Sequence, residues 1–219
     1  MKVGTDGLLL ATSTPIASGE KTVLDIGSGT GLIALVISQR DPAAEITAIE
    51  IDREAAKEAK FNFKSSPFAS RLQLKHLSLE DYVLSTTEKF DLIVCNPPFF
   101  EGMQAKGKRG KARNAAMLPA EELIEGAEKL LSKDGQFSVI IPYQNEKTFI
   151  QIAQKNGLHP FEILNVRGRK GSKLIRSIIH FSRKPAEHII NQMHIENDQR
   201  HQYSDAYVAL TKDFLTIFD

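Results

Sequence analysis

From Lys21 onward, short runs of β-branched and aliphatic residues alternate with longer stretches whose apolar positions recur every three or four residues. Short continuous or alternating apolar runs read as strands, and 3.6-residue periodicity reads as helices packed on them. The runs at 22–26, 46–50, 72–76, 90–95 and 136–141 are the expected strands, with helices starting near Thr30, Arg53, Leu79, Pro119 and Gln144. This alternation predicts an α/β fold, a parallel sheet with helices on both faces. Two further runs, 158–166 and 173–182, are separated only by a short basic connection containing Gly168 and Gly171, which predicts an antiparallel hairpin and seven strands in all. Thr5-Asp6-Gly7 ahead of LLLA predicts a capped helix before the first strand. Ser204-Asp205 ahead of AYVALTKDFLTIF predicts a capped amphipathic helix at the other end. The longest stretch without a regular pattern is 96–118, a length that in a compact domain is usually functional or disordered. With no internal repeat and no low-complexity linker, residues 1–219 are expected to form a single domain.

Composition narrows the setting. The one cysteine, Cys95, has no partner for an internal disulfide, which suits a reducing compartment. No apolar run approaches the roughly 20 residues a bilayer requires, and MKVGTDGLLLATSTP makes a poor signal peptide. A cytoplasmic protein with no membrane partner is expected. The six histidines show no metal-ligand spacing, so no metal is expected. The formal net charge is only +1, yet the cations are unevenly placed. Residues 105–113 carry Lys106, Lys108, Arg109, Lys111 and Arg113 without an acid. Residues 163–184 carry seven cations, among them Arg167, Arg169, Lys170 and Lys173, again without an acid. Either segment alone reads as well as a solvated, edge-protecting loop. Two together give a neutral protein a basic face and point toward RNA.

The glycine-rich segment Asp25-Ile26-Gly27-Ser28-Gly29-Thr30-Gly31 falls where a strand ends and a helix begins, so small residues bring backbone N–H groups close to a ligand. A dinucleotide fingerprint needs G-x-G-x-x-G, but position 32 is Leu and the third glycine is Gly31. The acid at Asp25 would repel a pyrophosphate and suits the ammonium of a methionine moiety. The spacing therefore favours S-adenosylmethionine over a dinucleotide, with Asp25, Gly27, Ser28, Gly29 and Gly31 as cofactor-binding candidates. Glu50 ends the second strand, 19 residues after Gly31, where an acid can hold both ribose hydroxyls. Asp52 competes for that role but also suits the N-cap of the next helix. After the third strand Ser78 offers an uncharged contact to adenine, with a backbone amide as the alternative.

Asn96-Pro97-Pro98-Phe99 follows the fourth strand. Methylating an aromatic amine is difficult because the nitrogen lone pair is delocalised into the ring. The Asn96 side-chain oxygen and the Pro97 carbonyl can each accept one amino hydrogen, drawing the nitrogen toward a pyramidal geometry with its lone pair aimed at a sulfonium methyl. That is positioning plus preorganised acceptors. Phe99 would stack on the base, and the prolines stiffen the backbone. Alone, N-P-P-F is a rigid turn after a strand. Placed after a methyltransferase cofactor motif, it is a catalytic candidate. Beside it, Cys95 reads as packing.

The order D-x-G-x-G-x-G, acid, N-P-P-F resembles Rossmann-like class I amino-methyltransferases, whose mostly parallel sheet ends in an antiparallel hairpin. The ends of the chain, Lys2-Val3-Gly4-Thr5-Asp6-Gly7 and Tyr203-Ser204-Asp205-Ala206-Tyr207 with ALTKDF, resemble the bacterial valine-tRNA adenosine-37 N6-methyltransferase family over the whole length. The resemblance implies tRNA as substrate, bound by its anticodon loop, with an extruded adenosine. It also implies Lys2, Thr5 and Asp6 near the methionine end of the cofactor, and both basic segments on tRNA phosphates. Two departures stand out. The family has Tyr where this sequence has Phe99, which keeps stacking and loses a hydroxyl. Members also carry an N-terminal extension ahead of K-V-G-T-D, expected to be missing here. Guanine N2 or protein glutamine methylation fits the same acceptors, and a silent RNA-binding module is a further reading. A dehydrogenase is disfavoured by the glycine spacing.

Overall fold

The computed structural model describes residues 4–16, 21–98 and 118–218. The strands are β1 (Lys21–Ile26), β2 (Ala44–Glu50), β3 (Leu72–His76), β4 (Phe90–Cys95), β5 (Leu131–Pro142), β6 (His159–Arg169), β7 (Leu174–Ser182) and β8 (Ile189–Glu196). They form one sheet in the order β3-β2-β1-β4-β5-β7-β6-β8. Only β7 runs against its neighbours. It reverses because a tight turn precedes it, closed by the Ser172 N–H on the Arg169 carbonyl, with Gly171 at φ 73°. That left-handed position favours glycine.

Alternation along the strands divides the core. On one face Val23, Leu92, Val94 and Ile140 pack under helices α1 (Thr5–Ser13), α2 (Leu32–Arg40), α3 (Arg53–Ser65) and α7 (Asp205–Thr211). On the other, Leu24, Ile26, Ile93, Cys95, Phe137 and Val139 pack under α4 (Leu79–Ser85), α5 (Ala120–Leu130) and α6 (Glu146–Lys155). Burial on both faces is what makes the central strands read as continuous apolar runs.

The seven expected strands are present, and an eighth joins them. β8 pairs parallel to β6 at the sheet edge. Its first four residues are exposed and Met193 is its buried residue, so it lacks the alternation that marks a half-buried strand. β5 starts five residues earlier than its apolar run, because Leu131 pairs with Phe90 before the polar Lys133-Asp134 pair and a register shift. α1 departs from the expected capping: its N-cap is Gly4, without a side-chain hydrogen bond, and Thr5 lies inside the helix. At the other end Ser204 does cap α7, accepting the Tyr207 N–H at 3.2 Å. That helix is shorter than its pattern, breaking after Thr211 into two 3-10 turns. Among the described residues no helix is long and apolar enough to cross a membrane.

Arg71 clamps the junction that feeds β2. Its guanidinium donates to the carbonyls of Ser38 at 3.0 Å, Ala44 at 2.7 Å and Asp41 at 3.2 Å. Arg71→Ala removes a charged donor from three carbonyls and should lower stability by about 2–3 kcal/mol in urea unfolding, as expected for a charged hydrogen-bonding group. Arg71→Lys should recover only part, because an ammonium cannot fork across two elements.

Candidate active site

The sheet reverses direction of growth between β1 and β4, and in open α/β sheets a ligand crevice lies beyond the carboxyl ends of the strands at such a switch point. Register sets what faces it. Ile26 pairs with Ile49 on one side and Cys95 on the other. The next residue on each strand, Gly27, Glu50 and Asn96, therefore stands at one level across three adjacent strands. Asp25 lies two residues deeper, beside Ala48 and Val94.

The glycine loop is held by its surroundings. The N–H groups of Gly27 and Ser28 donate to the Ile49 carbonyl at 2.9 and 3.1 Å. The Gly29 N–H donates to Glu50 Oε2 at 2.7 Å, and Glu50 Oε1 accepts the Asp52 N–H at 2.8 Å. Gly27, Gly29 and Gly31 all have positive φ (66°, 56° and 84°). At Gly31 a side chain is excluded twice over, since a Cβ would come within 2.3 Å of the Phe63 ring of α3. Asn62 of the same helix donates to the Thr30 carbonyl at 2.9 Å. So α3 braces the loop from behind.

Asp25 is fully buried, and neither carboxylate oxygen has a hydrogen-bond partner among the described residues. Burial pushes its pKa up to about 7. The Ala34 amide in the first turn of α2 opposes that rise and the Glu50 charge adds to it. The Ser28 hydroxyl is likewise buried and unpartnered. Two unpartnered polar side chains below an open glycine loop are what a polar, cationic ligand group would satisfy. The Cys95 thiol, buried beside both acids, is held well above the ordinary thiol range, mainly by burial. It is inert packing rather than a nucleophile.

The other candidates separate. Asp52 caps α3, accepting the N–H groups of Glu54 and Ala55 at 3.0 and 2.8 Å. Ser78 caps α4: its hydroxyl accepts the Asp81 N–H at 3.0 Å and donates to the Asp81 carboxylate at 2.7 Å. Its side chain is thus committed locally, though it stands just beyond the end of β3. Asp6 pairs with Arg176 of β7 at 2.8 Å. Next to it Gly7 is buried, and a Cβ there would lie 3.7 Å from Asn96 Nδ2. The first turn of α1, with Thr5 and Asp6, is thereby brought to the same crevice as Asn96. Pro97 is half-buried and Pro98 exposed. Lys2, Phe99 and the basic residues Lys106, Lys108, Arg109, Lys111 and Arg113 lie outside the described residues.

On the hairpin, Arg167 donates to the Ser172 carbonyl and to Gln192 of β8, each at 2.9 Å, and Arg169 approaches Glu196 of β8 at 3.8 Å. Lys170 and Lys173 are exposed at the tip. The sequence reading overlooked Ile51. It follows Glu50 directly and is 45% exposed at the rim, an apolar surface where the flanking residues are charged. An aliphatic residue immediately after the strand-ending acid was the available signal.

The crevice, the glycine loop and the N-P-P turn define a methyltransferase. Residues 2–155 match the family model described as Methyltransferase small domain. The fold is that of solved methyltransferases. A predicted O-methyltransferase of Agrobacterium tumefaciens superposes with a TM-score of 0.70 at 20% identity, over 95% of this chain and 96% of that one. A precorrin-6y C5,15-methyltransferase of Geobacter metallireducens gives 0.56 at 17% identity, over 81% and 87%. Sequence relatives are nearer. Proteins named tRNA1(Val) (adenine(37)-N6)-methyltransferase from Flavobacterium psychrophilum and Flavobacterium johnsoniae are 46% and 42% identical, each over 98% of this chain and 92% of the relative. The one from Christiangramia forsetii is 38% identical over 98% of this chain and 90% of its own length. The chain belongs to the tRNA1(Val) (adenine(37)-N6)-methyltransferase family.

Asp25 makes the ligand-free site costly. Its folded pKa, about 7, lies above the ordinary aspartate value of 3.8. The penalty for ionising it is therefore absent below the lower value, grows through that window and is complete above the upper one. Asp25→Asn should raise the stability of the ligand-free protein at pH 8 by up to about 4 kcal/mol. In urea unfolding that advantage should shrink by more than half at pH 5.

Proposed function

We propose that this chain transfers a methyl group from S-adenosylmethionine to the exocyclic N6 of an adenosine in tRNA, at position 37 of valine tRNA. Residues 1–219 act as one methyltransferase domain in the cytoplasm. The observation that carries this reading is the shared level of Gly27, Glu50 and Asn96, with the unpartnered Asp25 carboxylate beneath them. The names of the relatives supply the substrate.

In this reading the cofactor supplies an electrophilic methyl on a sulfonium. Asp25 and Ser28 take the polar methionine end, with Thr5 approaching from the first turn of α1. The backbone of Gly27, Gly29 and Gly31 lets the ligand lie close. Glu50 exchanges part of its hold on the Gly29 and Asp52 amides for the ribose hydroxyls, and Ile51 offers an apolar surface to adenine. The Ser78 hydroxyl is occupied as a cap, so a contact from that turn comes most economically from backbone.

Asn96 and the Pro97 carbonyl accept the two amino hydrogens of the target base. They stabilise the amine as its lone pair turns away from the ring, and the proton leaves after transfer without a strong base. Pro97 and Pro98 hold the acceptors still. Phe99 stacks on the extruded base, a contact worth about 1–3 kcal/mol, and repays part of the unstacking cost. The cations at 105–113 and on the hairpin neutralise tRNA phosphates and orient the anticodon loop.

The reaction is tested with purified protein, methyl-labelled cofactor and separate tRNA and protein fractions, followed by nucleoside mass spectrometry. Label appearing as N6-methyladenosine in valine tRNA is the expected result. N2-methylguanosine or labelled glutamine would move the enzyme to another substrate class. Asn96→Ala should lower the rate by at least about 100-fold, the scale for losing one preorganised acceptor, while S-adenosylhomocysteine affinity in calorimetry stays within about threefold. Loss of both together would make Asn96 a structural turn residue. Replacing Lys170 and Lys173 with Ala should weaken tRNA binding and reduce the slope of log affinity against log salt by about 1–2. An unchanged slope would remove the hairpin tip from the RNA face.

A further inference from the structure

Helix α1 is tethered at both ends by arginines from other elements. At its C-terminal end Arg40 of α2 donates through Nη1 to the carbonyls of Ala11 and Thr14, at 2.5 and 2.9 Å. A cation there complements the helix dipole. At its N-terminal end Arg176 of β7 donates through Nε to Asp6 Oδ2 at 2.8 Å, with the two side chains 29% and 27% exposed. This second tether matters because the helix begins on Gly4, which is exposed and provides no side-chain cap. A first turn without a cap frays unless something outside the helix holds it.

What the first turn touches gives the tether its consequence. Gly7, one residue beyond Asp6, is buried, and a Cβ there would stand 3.4 Å from Leu32 and 3.7 Å from the Asn96 amide nitrogen. The turn therefore backs onto Asn96 across the space that a side chain at Gly7 would fill, and any shift of the turn changes the room left to the side chain that must stay aimed at the target amine. Arg176 sits on the strand that carries the basic hairpin, paired with Pro142 of β5 and Val166 of β6, three residues from Lys173. One strand thus presents cations to solvent at its tip and grips the helix that backs onto Asn96.

We propose that Arg176 is a positioning residue: through Asp6 it holds the first turn of α1 so that Gly7 keeps Asn96 aimed, joining the hairpin to the methyl-transfer step. The kinetic part of this rests on the function proposed above. It gives Asp6 a different task from direct contact with the cofactor, and Arg176 a different task from gripping phosphate. Those alternatives predict other outcomes.

The test compares Arg176→Gln, Arg176→Lys, Asp6→Asn and the Arg176→Gln/Asp6→Asn double variant. Backbone amide exchange across residues 8–11 needs no substrate and should be faster in the Gln and Asn variants than in wild type. In single-turnover methylation of tRNA, Arg176→Gln should lower the rate about tenfold, the scale of one charge-assisted hydrogen bond. KM for cofactor and for tRNA should move by less than about threefold, and Arg176→Lys should recover much of the rate. Asp6→Asn should match Arg176→Gln, and the double variant should add nothing further. Unchanged exchange in α1, or additive losses, overturns the proposal. So does a fall in tRNA affinity with a flatter salt slope at an unchanged rate, which would make Arg176 a phosphate contact. Loss of S-adenosylhomocysteine binding in Asp6→Asn but not Arg176→Gln would make Asp6 a cofactor ligand and also overturn it. Wild type that fails to methylate tRNA would contradict the proposed function, while the exchange comparison would still decide the tether.

Discussion

Two carboxylates, Asp25 and Glu50, stand at the ends of neighbouring strands with almost no access to water, and they are treated differently by the fold. Glu50 is satisfied by two backbone N–H groups, which makes it the clasp of the glycine loop. Asp25 has no such clasp: the Ala34 amide only partly offsets burial and the neighbouring charge, which drive it toward its neutral form. A buried acid without a partner is costly unless a cation arrives. Much of the crevice follows from that contrast. The loop is clasped by one acid, and the floor beneath it carries the other, buried and left without a clasp.

The rest of the molecule keeps this geometry in place. Register across β2, β1 and β4 carries Gly27, Glu50 and Asn96 to one level without any side-chain adjustment. α3 braces the loop through Asn62 and Phe63. α1 closes on Asn96 through Gly7 and is pinned at both ends by Arg40 and Arg176. The chemistry proposed for Asn96, two acceptors held on one nitrogen, gains from such rigid support, because small misplacements are expensive in rate.

Much of this was legible in the residues. Asp25, the three glycines, Glu50 and Asn96 lie at strand ends, and strand ends are where apolar runs stop, so pattern alone placed them. Asp52 as a helix cap could be read from its position. What escaped was set by tertiary context. β8 shows no alternation because it is an edge strand with one mostly solvated half. Gly4, and not Thr5, is the N-cap of α1, and the helix is held from outside where its own cap is lacking. The Ser78 hydroxyl turned inward to Asp81, a local competition that sequence position cannot resolve. The pairing of Asp6 with Arg176 spans 170 residues of chain and left no local trace.

The central claim is that Asp25 is partly neutral in the free site and is drawn fully to its carboxylate form by the cofactor ammonium proposed to bind above it. Calorimetry of S-adenosylhomocysteine binding in buffers of different ionisation enthalpy counts the protons exchanged. With a free-site pKa of about 7, roughly 0.9 proton should be released per site at pH 6 and about 0.1 at pH 8, by linkage. Binding that releases no proton at pH 6 would contradict it, since Asp25 would then carry the same charge before and after.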